Sequence, residues 1–286
     1  MKKKIIGIFV CTLLIITMTI PISAMDREYI SNFKPISKGA DVPVWGVGDS
    51  WLYEAEYFES DVNGTFTFTL TGNIEFKVTN DSGDYYILEG KGRPRGIVKY
   101  GKFGMRTSMF SKAGFEMKIR KSDFGIENWN QYLKGLCWLT LVGIPLPIPI
   151  QVHAIRNTDF IPTTSIIPFP LFDGKNGTIG SIKFSEKGGT WLYWGSVELT
   201  NFTSSWNSGD ILYTCTEEQL TVPAGTYDVY KIETEIDYPD CKDHYDSYYC
   251  EKIGNSAKQS ILIYHGTTDI VYLSFDLELK STTYIP

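Results

Sequence analysis

Antiparallel β-sheet, open and curved into a half-barrel, is the fold class that this 286-residue sequence predicts. Three observations predict it. Aromatic residues make up 14% of the chain and suit a pleated, half-buried surface. Apolar and polar residues alternate with period two in segment after segment. Helical spacing of apolar residues recurs only over Ile126 to Leu136, so one or two short helices are expected.

Taken in order, Lys2, Lys3 and Lys4 precede an apolar run from Ile5 to Ile20, and Pro21 and Ser23-Ala24 follow. That order reads as a secretory signal peptide, 1–24, cleaved after Ala24, which implies a secreted or extracytoplasmic cell-surface protein. An N-terminal extension, 25–44, then leads into one β domain, 45–286, with an insertion at about 93–190. Trp51 to Tyr57 and Thr65 to Thr71 alternate and read as a hairpin across Asp61-Val62-Asn63-Gly64, with Phe66, Phe68 and Leu70 on one face. Further strands are expected at Asn73–Thr79, Tyr85–Gly90, Phe115–Lys121, Thr190–Leu199, Ile211–Cys215, Tyr227–Ile236, Ser260–Tyr264, Ile270–Phe275 and Glu278–Tyr284, with turn residues between them.

The middle of the chain is proline-rich. Leu136 to Ile155 contains Pro145, Pro147 and Pro149, and Phe160 to Phe172 contains Pro162, Pro168 and Pro170. Prolines at spacing two exclude a membrane helix and favour extended backbone. Two roles are open: a wrapped edge strand, or the lid of an apolar cavity. The lid reading puts Trp138, Leu146, Ile148, Ile166 and Phe169 inward, towards Trp51 and Tyr53, around a void of ~300 Å³ or more.

Charge is uneven. The net charge is −6, which disfavours nucleic acid, yet residues 91–121 hold ten basic residues against the single acid Glu116. This basic segment either neutralises an acidic face of its own domain or meets an anionic glycan, phospholipid surface or acidic partner. The four cysteines after the signal segment, Cys137, Cys215, Cys241 and Cys250, suit two disulfides in an exported protein. Cys241 with Cys250, across a short polar loop, is the preferred pair and leaves Cys137 with Cys215. Asn63, Asn80, Asn176 and Asn201 head glycosylation sequons.

The sequence lacks His-Glu-x-x-His, Gly-x-Ser-x-Gly and a phosphate-binding loop, and Gly90 to Gly96 reads as a turn. His153, His244 and His265 fall in separate segments. Asp237 to Asp246 is dense in carboxylates but lacks the spacing and central glycine of a calcium-binding hand, so it reads as a solvated acidic loop. No metal, cofactor or catalytic residue is assigned.

Trp45-Gly-Val-Gly-Asp-Ser-Trp-Leu-Tyr53 and Leu220-Thr-Val-Pro-Ala-Gly-Thr-Tyr-Asp-Val-Tyr-Lys-Ile232 carry a family resemblance. On these motifs the two flanks, about 45–92 and 191–284, resemble uncharacterised exported β domains related to the LolA and LolB lipoprotein carriers. The resemblance implies a half-barrel whose concave apolar face takes an acyl chain. The resulting expectation is a non-enzymatic binding or cell-envelope protein for a lipid or other amphiphile. A glycan-binding or adhesion module is the alternative, and an extracellular hydrolase the third reading.

Overall fold

The segments of strictest alternation build the centre of the fold. The computed structural model describes residues 39–60, 66–100, 105–141, 144–165, 167–192, 197–237, 241–265 and 271–286. The signal segment, most of the extension, Asn63 and Ile166 lie outside the described residues. In chain order the strands are β1 (Ser50–Ser60), β2 (Phe66–Ser82), β3 (Tyr85–Gly92), β4 (Arg95–Tyr100), β5 (Met105–Arg120), β6 (Gly125–Leu141), β7 (Ile144–Ser165), β8 (Asn176–Ile179), β9 (Lys183–Leu192), β10 (Val197–Asn207), β11 (Ile211–Val222), β12 (Gly225–Asp237), β13 (Cys241–Cys250), β14 (Asn255–His265) and β15 (Val271–Thr282). They form one 15-stranded sheet in the order β10-β9-β7-β6-β5-β3-β2-β1-β15-β14-β13-β12-β11-β8, with β4 beside β2 and β5. Segment 93–190 contributes β4 to β8 and most of β9 to this same sheet.

One face of the sheet is buried and the other is wet, as expected of an antiparallel sheet. Trp51, Tyr53 and Tyr57 on β1, Phe68, Leu70, Phe76 and Val78 on β2, and Leu273, Leu277 and Leu279 on β15 are buried. The positions between them carry exposed Glu54 and Glu75 and half-buried Glu278. A lipid-embedded barrel has the opposite alternation, apolar outside and polar inside. Among the described residues no second layer covers the apolar face; its residues from strands across the whole sheet pack into one cluster. One short connection links the two sides of the sheet. β8 lies at one edge, yet residues 180–182 lead directly from it into β9, beside the opposite edge strand β10. Ser208 N–H donates to the Ile182 carbonyl at 2.9 Å and carries the β10–β9 ladder one rung further.

Several expectations are corrected. Ile126 to Leu136 is not a helix but the first part of β6, and buried Trp129, Gln131, Leu133 and Cys137 follow a period of two. Spacing of four residues belongs to both periods, which is why Trp129 and Leu133 read as helical. Among the described residues the helical content is one 3-10 turn, Glu251–Ile253. Thr190–Leu199 is not one strand; it divides between β9 and β10. The prolines do not keep 144–150 out of the sheet. This stretch pairs with β6, as at Trp138 with Pro149, while the ladder to β9 begins only at Val152. Prolines two apart place every missing N–H on one edge, which leaves the other edge free to pair.

An aromatic cluster closes one end of the curl. Trp45 packs against Trp51, Tyr86 and Phe124 at 5.0, 5.5 and 4.3 Å between ring centroids, and Phe169 joins Phe124 and Tyr249. Phe124 takes a left-handed backbone, φ 61°, in the turn between β5 and β6, which is costly for an aromatic residue and is held by this packing. Trp45 Nε1–H donates to the Gly254 carbonyl and Trp51 Nε1–H to the Ile253 carbonyl, both at 2.7 Å, so β1 is pinned to the turn after β13. Trp51→Phe keeps most of the packing but strands the buried Ile253 carbonyl. Chemical denaturation should show a loss of ~1–3 kcal/mol.

Candidate functional site

The concave face carries a cavity of about 90 Å³, bounded by Ala55, Tyr57, Leu70, Gly72, Ile74, Phe76, Gly92, Pro94, Ala113, Gly114, Phe115, Trp129, Phe275 and Leu277. Its polar members are Asn73, Gln131 and Gln259. The cavity exists because one lane of the sheet is broken. β3 and β4 occupy the same lane between β2 and β5, but Arg93 and Pro94 interrupt it. Pro94 has no N–H to give, and its carbonyl accepts from both Ser111 N–H and Ser111 Oγ–H at 3.1 and 3.0 Å. Around the break the inward positions are small. A Cβ on Gly72 would lie 2.8 Å from Pro94 Cα, so the backbones meet where a side chain would otherwise fill the space. The Phe115 ring lies over Gly90, packs edge-on against Phe76 and Trp129, and forms one wall. Ala55, Ile74, Ala113, Phe115 and Phe275 are half-buried, so the cavity opens towards solvent.

The expected cavity residues are dispersed. Trp51 and Tyr53 are core residues in the same strand as Ala55 and Tyr57 but contribute no wall. Phe169 is buried in the aromatic end cluster. Trp138 is half-buried on the outer face, edge-on to exposed Phe110 at 5.7 Å. The side chains of Leu146 and Ile148, and all of Ile166, lie outside the described residues. The cavity is smaller than the void expected, and its small residues went unrecognised. Gly90 to Gly96 is a strand with a break rather than a simple turn, and the signal was glycine inside alternating segments.

The disulfide pairing is overturned. Cys137, Cys215 and Cys250 are free and buried. Residues 241–250 form β13, so Cys241 and Cys250 stand at opposite ends of a strand, ~30 Å apart at about 3.3 Å per residue, far beyond disulfide reach. Burial pushes the Cys137 and Cys215 thiols up to about 12, which leaves them protonated and unreactive at neutral pH. Asn80, Asn176 and Asn201 are exposed.

Strand formation also divides the presumed acidic loop between two faces. Asp243 points inward, flanked in register by Ile236 and Ile263, and burial pushes its carboxyl up to about 6 against the opposing Tyr245 hydroxyl bond. His244 and Asp246 point outward and converge with Glu233 within ligating distance of one another. Lys231 Nζ already sits among these carboxylates, 2.5 Å from Glu233 and 3.4 Å from Asp246, and supplies the cation. His153 lies at the outer face against Trp191, its pKa lowered by burial and by Lys134. The side chain of His265 lies outside the described residues.

Beside the cavity wall, Arg156 stands next to Gln131 in register and bonds Glu186 through Nη2, with both side chains almost wholly buried at 3% and 4% exposure. Burial pulls the Arg156 pKa down, opposed by the Glu186 carboxylate.

No protein-family model and no curated protein matches the chain. Two solved structures are similar to it. The β domain of the Bordetella autotransporter BrkA aligns with a TM-score of 0.42 at 11% identity, over 81% of this chain and 98% of that one. A β-barrel-like protein of a domain of unknown function from Brucella abortus aligns with a TM-score of 0.35 at 10% identity, over 82% and 97%. Both are distant, and neither extends the motif resemblance to lipoprotein carriers into family membership.

Two outcomes follow for the buried charges. Glu186→Ala leaves the Arg156 charge unpaired in the core and should cost ~3–5 kcal/mol in urea melts, whereas replacing both residues by Leu or Met should cost far less. The raised pKa of Asp243 means the folded state holds the proton more tightly than the unfolded state. Its contribution is therefore favourable below the ordinary value of about 4 and is lost as pH rises through about 6. Asp243→Asn should remove a fall on the order of 2–3 kcal/mol across that window, read as the difference between parent and variant stability against pH.

Proposed function

We propose that this protein is an exported, non-enzymatic binding protein that holds part of an apolar or amphiphilic molecule in the cavity on its concave face. The supporting observation is the lining: aromatic and aliphatic walls, glycines that leave room, and the inward amides of Gln131 and Gln259. Apolar cavities of ~150 Å³ stay dry and take benzene, so a space of about 90 Å³ suits a narrow apolar group such as a segment of acyl chain rather than a whole lipid. A polar head would remain at the mouth, near Gln259. Extracytoplasmic placement follows the signal-like segment 1–24.

Ala113→Phe puts a ring into the cavity from its wall. Titration with a fluorescent fatty acid should give saturable binding to the parent, at least about tenfold weaker in this variant, while circular dichroism shows the sheet retained. Absence of saturable binding to the parent, or equal affinity in a folded variant, would reject the reading.

A further inference from the structure

The outer surface of β4 to β7, on the opposite side of the sheet from the cavity, carries an arrangement that folding alone does not require. The basic segment divides in two. Lys91, Lys118, Arg120 and Lys121 are paired with Glu89, Glu127, Asp123 and Asp81. Arg95, Lys99 and Lys112 are exposed on the outer face, where β6 adds exposed Lys134. Self-neutralisation therefore accounts for one part of the segment and leaves the other over.

Register makes the remainder unusual. Lys112 stands directly opposite Lys134, and Lys134 opposite His153. Like charges facing each other across strands destabilise a sheet, so the Lys112–Lys134 pair opposes folding. Apolar side chains are interleaved with it. Phe110 is 50% exposed, with the Arg95 guanidinium 5.5 Å from its ring centre and Trp138 edge-on beside it. Ile97 and Ile155 are exposed on the same face. Among the described residues, carboxylates return towards the borders of this patch, at Glu89, Glu116, Glu127, Asp159 and Glu198. On the far half of the sheet the outer face is acidic on balance, with Glu233, Glu235, Asp246, Asp276 and Glu278 on β12, β13 and β15 against Lys231 and Lys258, which pair with three of them.

From this we infer that the outer face of β4 to β7 docks on an anionic lipid bilayer. The partner is identified by chemistry. Lysines and arginines meet phosphate headgroups, while Phe110, Trp138 and the flanking isoleucines enter the interfacial layer where amphipathic and aromatic side chains gather. The acidic half of the sheet is repelled by the same surface and turns the molecule so that β4 to β7 face the membrane. An acidic protein or nucleic acid would be attracted by the cations but gives no role to the interleaved apolar groups.

The test is co-sedimentation of the protein with phosphatidylcholine vesicles, with and without phosphatidylglycerol. Subtracting binding to the neutral vesicles removes any contribution from the apolar segment near the N-terminus. Phosphatidylglycerol should add a salt-sensitive increment of binding. Lys112→Gln with Lys134→Gln should weaken it on the order of thirty-fold, at about fivefold for each lysine, and Phe110→Ser should weaken it further. Because the two lysines repel, the double variant should melt no lower than the parent, which separates lost docking from lost folding. No added binding with phosphatidylglycerol, or an increment unchanged by salt or in the double variant, would overturn the inference, as would a competing preference for an acidic peptide or heparin over the vesicles.

Discussion

A sheet with one apolar face and no second layer must cover that face with itself. This constraint governs the rest of the molecule. The curl is closed at one end by the aromatic cluster around Trp45 and Trp51, whose indole N–H groups satisfy carbonyls of the turn after β13. Those bonds join the first strand to a turn some two hundred residues later and fix how tightly the sheet turns. Inward charges are costly in that interior, and Arg156 on β7 is met by Glu186 on the neighbouring strand β9.

The cavity is a local failure of that self-covering. Pro94 breaks the lane shared by β3 and β4, and Gly72 and Gly92 present no side chains towards the gap. Large residues at these points would restore a continuous core. Their smallness leaves space beneath the Phe115 ring, bounded by rigid strands rather than loops, so the space is preformed.

Much of the fold was legible in the sequence because alternation is strict in the first part of β2 and holds over most of β1 and β15. The hairpins at Gly83 and Pro223-Ala224 were legible because their residues match what tight turns need. Failures arose where two physical readings share one pattern. Trp129 and Leu133 satisfy both helix and strand spacing. Charges crowded between Cys241 and Cys250 suggested a loop, although Asp243, Tyr245, Ser247 and Tyr249 alternate inward as a strand requires. The cavity was hidden for a different reason: it is defined by side chains that are missing, contributed by strands that only the curl brings round a common centre.

The β1–β15 ladder has a consequence of its own. Trp51 stands opposite Thr282, and this ladder runs down the middle of the sheet rather than along an edge. Nearest neighbours in space are here almost as far apart along the chain as they can be, so closing this ladder pays a large loop-closure entropy late in folding. A chain emerging N-terminus first holds one side of β1 unpaired until β15 arrives, with Trp51, Tyr53 and Tyr57 uncovered on the same strand. During that interval the nascent protein presents an adhesive strand edge, so its passage to the folded state depends on something else shielding β1.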